Sequence, residues 1–387
     1  MNPKTLQELL EITERHGIYE RILNQFKDIN KLKYCYYKEV KISEGIIPII
    51  IIAKNLDIAK VKYVKIFTAA QHNEYNGLFG ILEFIQKIKE HELKIEDILE
   101  KNQIIIFLPL LNPFGFLNPN KSNKSGYYLK NGTNLNRYWG KTFVPEFDKK
   151  YDDSNEKVIP EQVMIVKNIL NEYWNKEEIA IYIMDFHETS LLHRYILDLS
   201  ENLHDQLFTY KFTHWLKEKI ILNIIKLHEI KYLPEPLFFK CTPSANHTHI
   251  NLTIKQLDIV YEKLLEYIVK NNSKLPFYFC YGEKSKDYCQ CLAQIVYNKL
   301  RGKLWETRFP AYNHKFQDHG CFVNMGDATK RKKVYTMELE SHKQFFDIFD
   351  EIEKSKIEPK YFKIKLNLIN VSIELVIETI KEMIKLH

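Results

Sequence analysis

Residues Val61 to Phe84 read VKYVKIFTAAQHNEYNGLFGILEF. All of the first ten but Lys62 and Lys65 are β-branched, aromatic or small, the composition of a buried strand. Gln71-His72-Asn73-Glu74 then forms a polar knot, and Leu78, Ile81, Leu82, Ile85 and Ile88 follow at helical spacing. The segment therefore predicts a strand, a polar turn and a helix. Open α/β sheets bind their ligands at such carboxyl ends of strands.

The flanking sequence extends this pattern in both directions. Tyr34 to Ile42 alternates like a strand and Ile46 to Lys54 is isoleucine-rich, with Ser43-Glu44-Gly45 as the hairpin turn between them. Gln103 to Leu110, QIIIFLPL, is a further buried strand closed by Asn112-Pro113-Phe114-Gly115-Phe116. A long aromatic and polar stretch runs from there to Pro160, and an irregular stretch of that length inside a domain points to function. A helix from Glu161 to Trp174 leads into the strand Ile179 to Phe186, which ends in Asp185-Phe186-His187-Glu188-Thr189.

The later segments predict helices at His204 to Leu227, Ile254 to Val269, Lys284 to Leu300, Ser341 to Glu353 and Ser372 to Lys385. They also predict strands near Lys303 to Thr307 and at Lys333 to Leu339, and an extended Tyr361 to Asn370. Strands alternating with helices specify an α/β sheet with crossover connections. The amphipathic residues 1–30 predict a helical segment ahead of a single α/β domain at 31–387.

Composition narrows the function. The 56 basic and 50 acidic residues are interspersed and leave a net charge of only +6, so no basic stripe argues for nucleic acid. The apolar run Ile46 to Ala53 is too short to span a membrane. The charged, amphipathic N-terminal stretch is unlike a secretory signal, which predicts a cytoplasmic protein with reduced cysteines. Cys289 and Cys291 fall on a predicted amphipathic helix and read as structural, and His247 and His249 as pocket or structural residues.

Three predicted strands thus end in polar groups: Gln71 to Glu74, Asp185 with His187, and Glu338 with Glu340. Imidazoles and carboxylates are the ligands of hydrolytic zinc sites, and a further carboxylate beside them serves as the base for water.

The order AAQHNEYNG, LNPFGF, TNLNRYW, MDFHETS, VYTMELE resembles that of the zinc metallocarboxypeptidases of the carboxypeptidase A type, with their aspartoacylase and succinylglutamate desuccinylase-like relatives. The resemblance implies a mixed, mostly eight-stranded twisted sheet between helices, holding one zinc ion. It implies Glu74 and His187 as ligands, and Glu338 as general base with Glu340 as its fallback. An ungapped reading of the first motif makes Gln71 the remaining ligand, with His72 the alternative if the turn is one residue shorter. Asn136 and Arg137 are implied to receive a substrate's free carboxylate, because a planar guanidinium meets a carboxylate through two parallel hydrogen bonds.

Where the family carries a second loop arginine, Lys130 is the nearest basic residue, and Tyr312 is a candidate substrate tyrosine. The expected function is removal of a C-terminal residue from a peptide. Hydrolysis of a small N-acyl amino acid is the second enzymatic reading, and a non-catalytic binding protein on the same fold the third.

Overall fold

The computed structural model describes residues 4–12, 14–119, 126–140, 159–189, 274–275, 277–304, 311–313, 321–329, 331–342, 349 and 359–387. The predicted helices at 204–227 and 254–269, and the pair His247 and His249, lie outside the described residues.

The strands are β1 (Cys35–Ile42), β2 (Gly45–Ala53), β3 (Tyr63–Ala69), β4 (Gln103–Leu108), β5 (Ala180–Thr189), β6 (Tyr278–Tyr281), β7 (Ala311–Asn313) and β8 (Val334–His342). They form one eight-stranded sheet in the order β1-β2-β4-β3-β5-β8-β6-β7. The hairpin β1-β2 is antiparallel with Ile42 opposite Gly45, as the turn residues predict. Its centre, β4-β3-β5-β8, is parallel throughout, and β6 joins β8 antiparallel. This is the mixed eight-stranded α/β sheet expected from the sequence.

Parallel pairing brings the three polar strand ends together. Thr68 pairs with Asp185, Asp185 with Glu338, and His187 with Glu340. Of the strand predicted near 303–307 only Lys303 and Leu304 are among the described residues, and there Leu304 forms a bridge with Leu275.

Helices cover both faces: α1 (Lys4–Leu10), α2 (Arg15–Lys27), α3 (Asn76–Lys89), α4 (Ile95–Ile98), α5 (Pro113–Leu117), α6 (Glu161–Trp174), α7 (Lys286–Leu300), α8 (Phe322–Ala328) and α9 (Pro359–Lys385). One core joins Phe67, Phe107, Met184 and Met337 of the sheet to Leu78, Ile81 and Phe84 of α3, Val376 and Ile380 of α9, and Ile18 and Phe26 of α2. The opposite core sets Ile66, Ile106 and Ile183 against Val163, Val166 and Leu170 of α6. The N-terminal helices therefore share the core of the sheet.

Two predictions are overturned here: Ser341 and His342, expected to start a helix, are the paired end of β8, and the extended stretch at 361–370 is helical. Tyr361 to Asn370 alternates apolar and polar like a strand, yet it is the first part of α9. Leu368, Ile369, Ile373 and Val376 are buried on that helix, so packing against α3 and the sheet overrides the local pattern.

The seating of α3 limits what its residues can be. A Cβ on Gly77 would stand 2.4 Å from Phe186 Cβ and 2.9 Å from Ala69 Cβ, neither of which can swing aside. Gly77→Ala should therefore destabilise the fold by about 1–3 kcal/mol through overpacking, read as a lower urea midpoint. An unchanged midpoint would show that α3 stands further from β5.

The end of α9 is tied to the sheet by polar side chains. Lys65 of β3, wholly buried, donates to Leu386 O and, at 3.0 Å, to Tyr288 Oη, and its ammonium lies 3.8 Å from the ring centre of Tyr182. Gln103 of β4 donates to Ile384 O at 2.8 Å. These bonds satisfy carbonyls that a helix C-terminus leaves open.

Burial pushes the Lys65 ammonium down to about 7. Above that pH the unfolded chain holds a proton on Lys65 that the folded chain has released, until the unfolded lysine itself titrates near about 10.4. Stability contributed at this site thus rises with pH across that window. Lys65→Met should raise the melting temperature at pH 7 and flatten the rise between pH 7 and 10, measured by thermal unfolding. Tyr288 Oη also donates to Leu386 O, at 3.0 Å, so that carbonyl has a donor other than Lys65. A lower melting temperature at pH 7 would mean that the ammonium is well compensated.

Candidate metal centre

Strand β3 ends in a backbone kink. Ala70 has φ +52°, a left-handed conformation rare for residues other than glycine. It is held by Leu111 N to Ala69 O (3.2 Å) and Asn112 N to Ala70 O (2.9 Å). The kink sends the next two side chains in different directions.

The carbonyl oxygen of Gln71 accepts from Trp139 Nε1 at 2.8 Å, and its amide nitrogen donates to Asp185 Oδ2. His72 instead faces Glu74, with Nδ1 3.6 Å from Glu74 Oε2, while its Nε2 meets Asn134 Oδ1 at 3.0 Å. From β5, His187 brings Nδ1 to 2.7 Å from the same Glu74 oxygen, and its Nε2 lies 2.7 Å from Asp185 Oδ2. His72, Glu74 and His187 are all buried, with one ligand atom from each within 4.8 Å of the others.

In each imidazole Nε2 faces an oxygen acceptor, Asn134 Oδ1 or Asp185 Oδ2, which would keep a proton on that nitrogen when Nδ1 gives its lone pair to a cation; without one, His187 stands between two carboxylates, Asp185 at Nε2 and Glu74 at Nδ1, each at 2.7 Å. Both Nδ1 atoms then turn towards Glu74 Oε2. Two imidazole nitrogens and a carboxylate oxygen converging from a kinked turn and an adjacent strand form a three-ligand set of the kind that leaves a fourth position for water. The carboxylate behind His187 is the orienting partner that metal-bound histidines usually have.

The ligand preferred from sequence, Gln71, is thus placed behind the cluster rather than in it, because its oxygen is engaged by Trp139. The alternative, His72, stands in the cluster.

Glu338 completes the group from β8. Its Oε1 lies 4.0 Å from His187 Nε2 and is buried without a hydrogen-bond partner among the described residues. Asn136 and the backbone of Val323 bond to its carboxyl. Burial outweighs the pull of His187 and raises its pKa to about 7. Burial also pushes His72 down, while His187 is held well above its usual range because Asp185 and Glu74 overcome its burial. Glu74, Asp185 and Glu338 are three carboxylates in one buried volume, and buried charge of one sign calls for a compensating cation. The orphaned oxygen of Glu338 and the two Nδ1 atoms gathered about Glu74 fit a divalent metal, which would take the place of the proton between His187 Nδ1 and Glu74.

The neighbouring segment is placed as follows. Asn136 is buried, its Oδ1 accepting from Phe322 N at 3.1 Å. Its Nδ2 is 3.5 Å from His187 Nε2, a contact rather than a bond, since that nitrogen's proton faces Asp185. Arg137 is half-buried beside it, donating to Asn136 O at 2.8 Å, with Cys321 Sγ 3.6 Å away. Lys130 is not brought to the cluster: it is exposed, and its backbone N–H donates to Glu44 at 3.2 Å. Glu340 follows Glu338 on the same strand, opposite His187 in the register, and Tyr312 lies in β7.

Sequence reading passed over Tyr127, whose ring lies 3.9 Å from that of His72 at 10° and fixes its plane. No local signal marks that tyrosine, because its partner is 55 positions away in sequence. Asp185 had a signal in its spacing of two from His187, which puts both on one strand face.

No family model matches this chain, and no curated protein matches it. Solved structures do resemble it. A structure of bovine thrombin-activatable fibrinolysis inhibitor in complex with tick carboxypeptidase inhibitor matches at 11% identity and TM-score 0.49, over 98% of this chain and 99% of that one. A carboxypeptidase A from Helicoverpa armigera matches at 13% identity and TM-score 0.46, over 95% of this chain and 74% of that one. A metallo-carboxypeptidase from Burkholderia cenocepacia matches at 10% identity and TM-score 0.46, over 95% and 68%. The likeness is one of fold. At these identities it says nothing of activity, and the functional reading rests on the site itself.

Proposed function

We propose that this chain is a zinc-dependent hydrolase of amide bonds that lie next to a free carboxylate, a metallocarboxypeptidase. The observation that carries the reading is the convergence of His72 Nδ1, His187 Nδ1 and Glu74 Oε2, with the unpartnered Oε1 of Glu338 beside them. His72, Glu74 and His187 would hold the ion. When bound, zinc supplies the positive charge that acidifies water and polarises a carbonyl.

The chain's own groups account for the rest. Asn134 and Asp185 would hold the Nε2 protons of the two histidines and so leave Nδ1 of each to the ion. Glu338 takes a proton from the attacking water at Oε1 and returns it to the leaving amine, as general base and then general acid. Its raised pKa suits both roles near neutral pH. Arg137, positioned by Asn136 O, anchors the substrate carboxylate and thereby sets the adjacent amide against the centre.

The test is amino-acid release from a panel of peptides with varied C-terminal residues, using the zinc-loaded full chain and the chelated chain. Single-residue release that chelation abolishes and zinc restores supports the reading. A zinc-loaded chain inactive on the whole panel, including peptides with acidic, basic, aromatic and aliphatic ends, contradicts it.

A further inference from the structure

Gln71 belongs to a continuous buried chain of hydrogen bonds that runs behind the proposed metal ligands and takes no part itself in the proposed chemistry. Trp139 Nε1 donates to Gln71 Oε1 at 2.8 Å, Gln71 Nε2 donates to Asp185 Oδ2, and that same oxygen faces His187 Nε2 at 2.7 Å. The other Asp185 oxygen accepts from Thr68 Oγ1 at 2.7 Å. Trp139 and Asp185 are wholly shielded from solvent and Gln71 almost so, at 1% exposure. The indole nitrogen can only donate. It therefore fixes the Gln71 amide with its oxygen towards Trp139 and its nitrogen towards Asp185.

We infer that Gln71 is a positioning residue for the metal ligand His187: its amide locks the Asp185 carboxylate onto His187 Nε2 and ties that pair to the segment bearing Asn136 and Arg137. The inference rests on the reading of His72, Glu74 and His187 as metal ligands. Of the groups on Asp185, Thr68 holds one oxygen, while Gln71 and His187 share the other. Without the Gln71 amide the carboxylate keeps one anchor and can turn about it, so the imidazole loses the acceptor that sets its tautomer and rotation. Trp139 stacks on Phe322 with ring centres 4.0 Å apart. It lies two residues beyond Arg137, so the same amide also sets the distance between the carboxylate-binding segment and the end of β5.

The experiment uses Co2+ as the probe on the full-length chain, comparing wild type with Gln71→Met and Trp139→Phe. Two quantities are read: the Co2+ dissociation constant by chelator competition, and the visible absorption spectrum of the bound ion, which reports ligand geometry independently of turnover. Gln71→Met should still bind one Co2+ but on the order of 10–100-fold more weakly, as expected for loss of an outer partner of a ligand, with an altered spectrum. Trp139→Phe, which frees the amide to flip, should shift both in the same direction by less. If Gln71→Met does not fold, Trp139→Phe decides alone.

Unchanged affinity and spectrum in the folded variants would overturn the inference while leaving the metal reading intact. A wild-type chain that takes up no Co2+ would overturn the metal reading, and this inference with it.

Discussion

Glu338→Gln is expected to leave the metal in place and to lower kcat by roughly 10²–10⁴-fold, the usual contribution of a general base and acid. The amide keeps the shape and burial of the side chain but cannot take a proton. The same substitution should stabilise the metal-free chain at alkaline pH. Burial holds the Glu338 pKa at about 7, above its usual 4.5. Between those two values the folded chain keeps a proton that the unfolded chain releases, so stability at this site falls as pH rises through the window. At pH 8 the accumulated penalty is about 3 kcal/mol, and Glu338→Gln removes it.

For activity the sign is opposite. The base must be ionised, so kcat/KM of the wild type should fall as pH drops through about 7, or through a lower pH where the bound cation favours the carboxylate. Full activity in Glu338→Gln would move the proton-transfer role to another group, with Glu340 the next residue on that strand face.

Glu74→Gln is expected to have the largest effect on the metal. Its Oε2 is the point on which His187 Nδ1 (2.7 Å), His72 Nδ1 (3.6 Å) and Glu188 N (3.4 Å) all converge. The substitution removes the anionic ligand and offers an N–H₂ or a weak carbonyl donor in its place. Zinc uptake and hydrolysis should be lost together. The fold should survive, because Glu188, which accepts from Asn76 N at 2.7 Å at the start of α3, is untouched. Retention of one tightly held zinc by this variant would exclude Glu74 as a ligand.

Much of this was legible in the sequence. Strands β3, β5 and β8 announce themselves by β-branched runs, and each ends in chemistry-bearing residues, so a parallel sheet alone suffices to gather them. What composition could not convey was the direction of side chains after β3. Strand alternation stops at Ala70, whose left-handed backbone resets which face the next residue takes, so the choice between Gln71 and His72 rested on a spacing that the kink annuls. Lys130 is the nearest basic residue only by sequence distance. The loop instead turns it out to Glu44 and turns Tyr127 in against His72. In the last helix, Phe362, Ile364, Leu366 and Leu368 alternate like a strand, and only the groove beside α3 selects the helix.

The identity of the side chain at the end of β3 that binds the metal decides between the two possible centres. Zinc content per chain, measured by elemental analysis after equilibration with saturating zinc and removal of free ion, should be compared for wild type, His72→Ala and Gln71→Met. One zinc is expected in the wild type and in Gln71→Met, and none in His72→Ala. One zinc retained in His72→Ala but lost in Gln71→Met would contradict the assignment of His72.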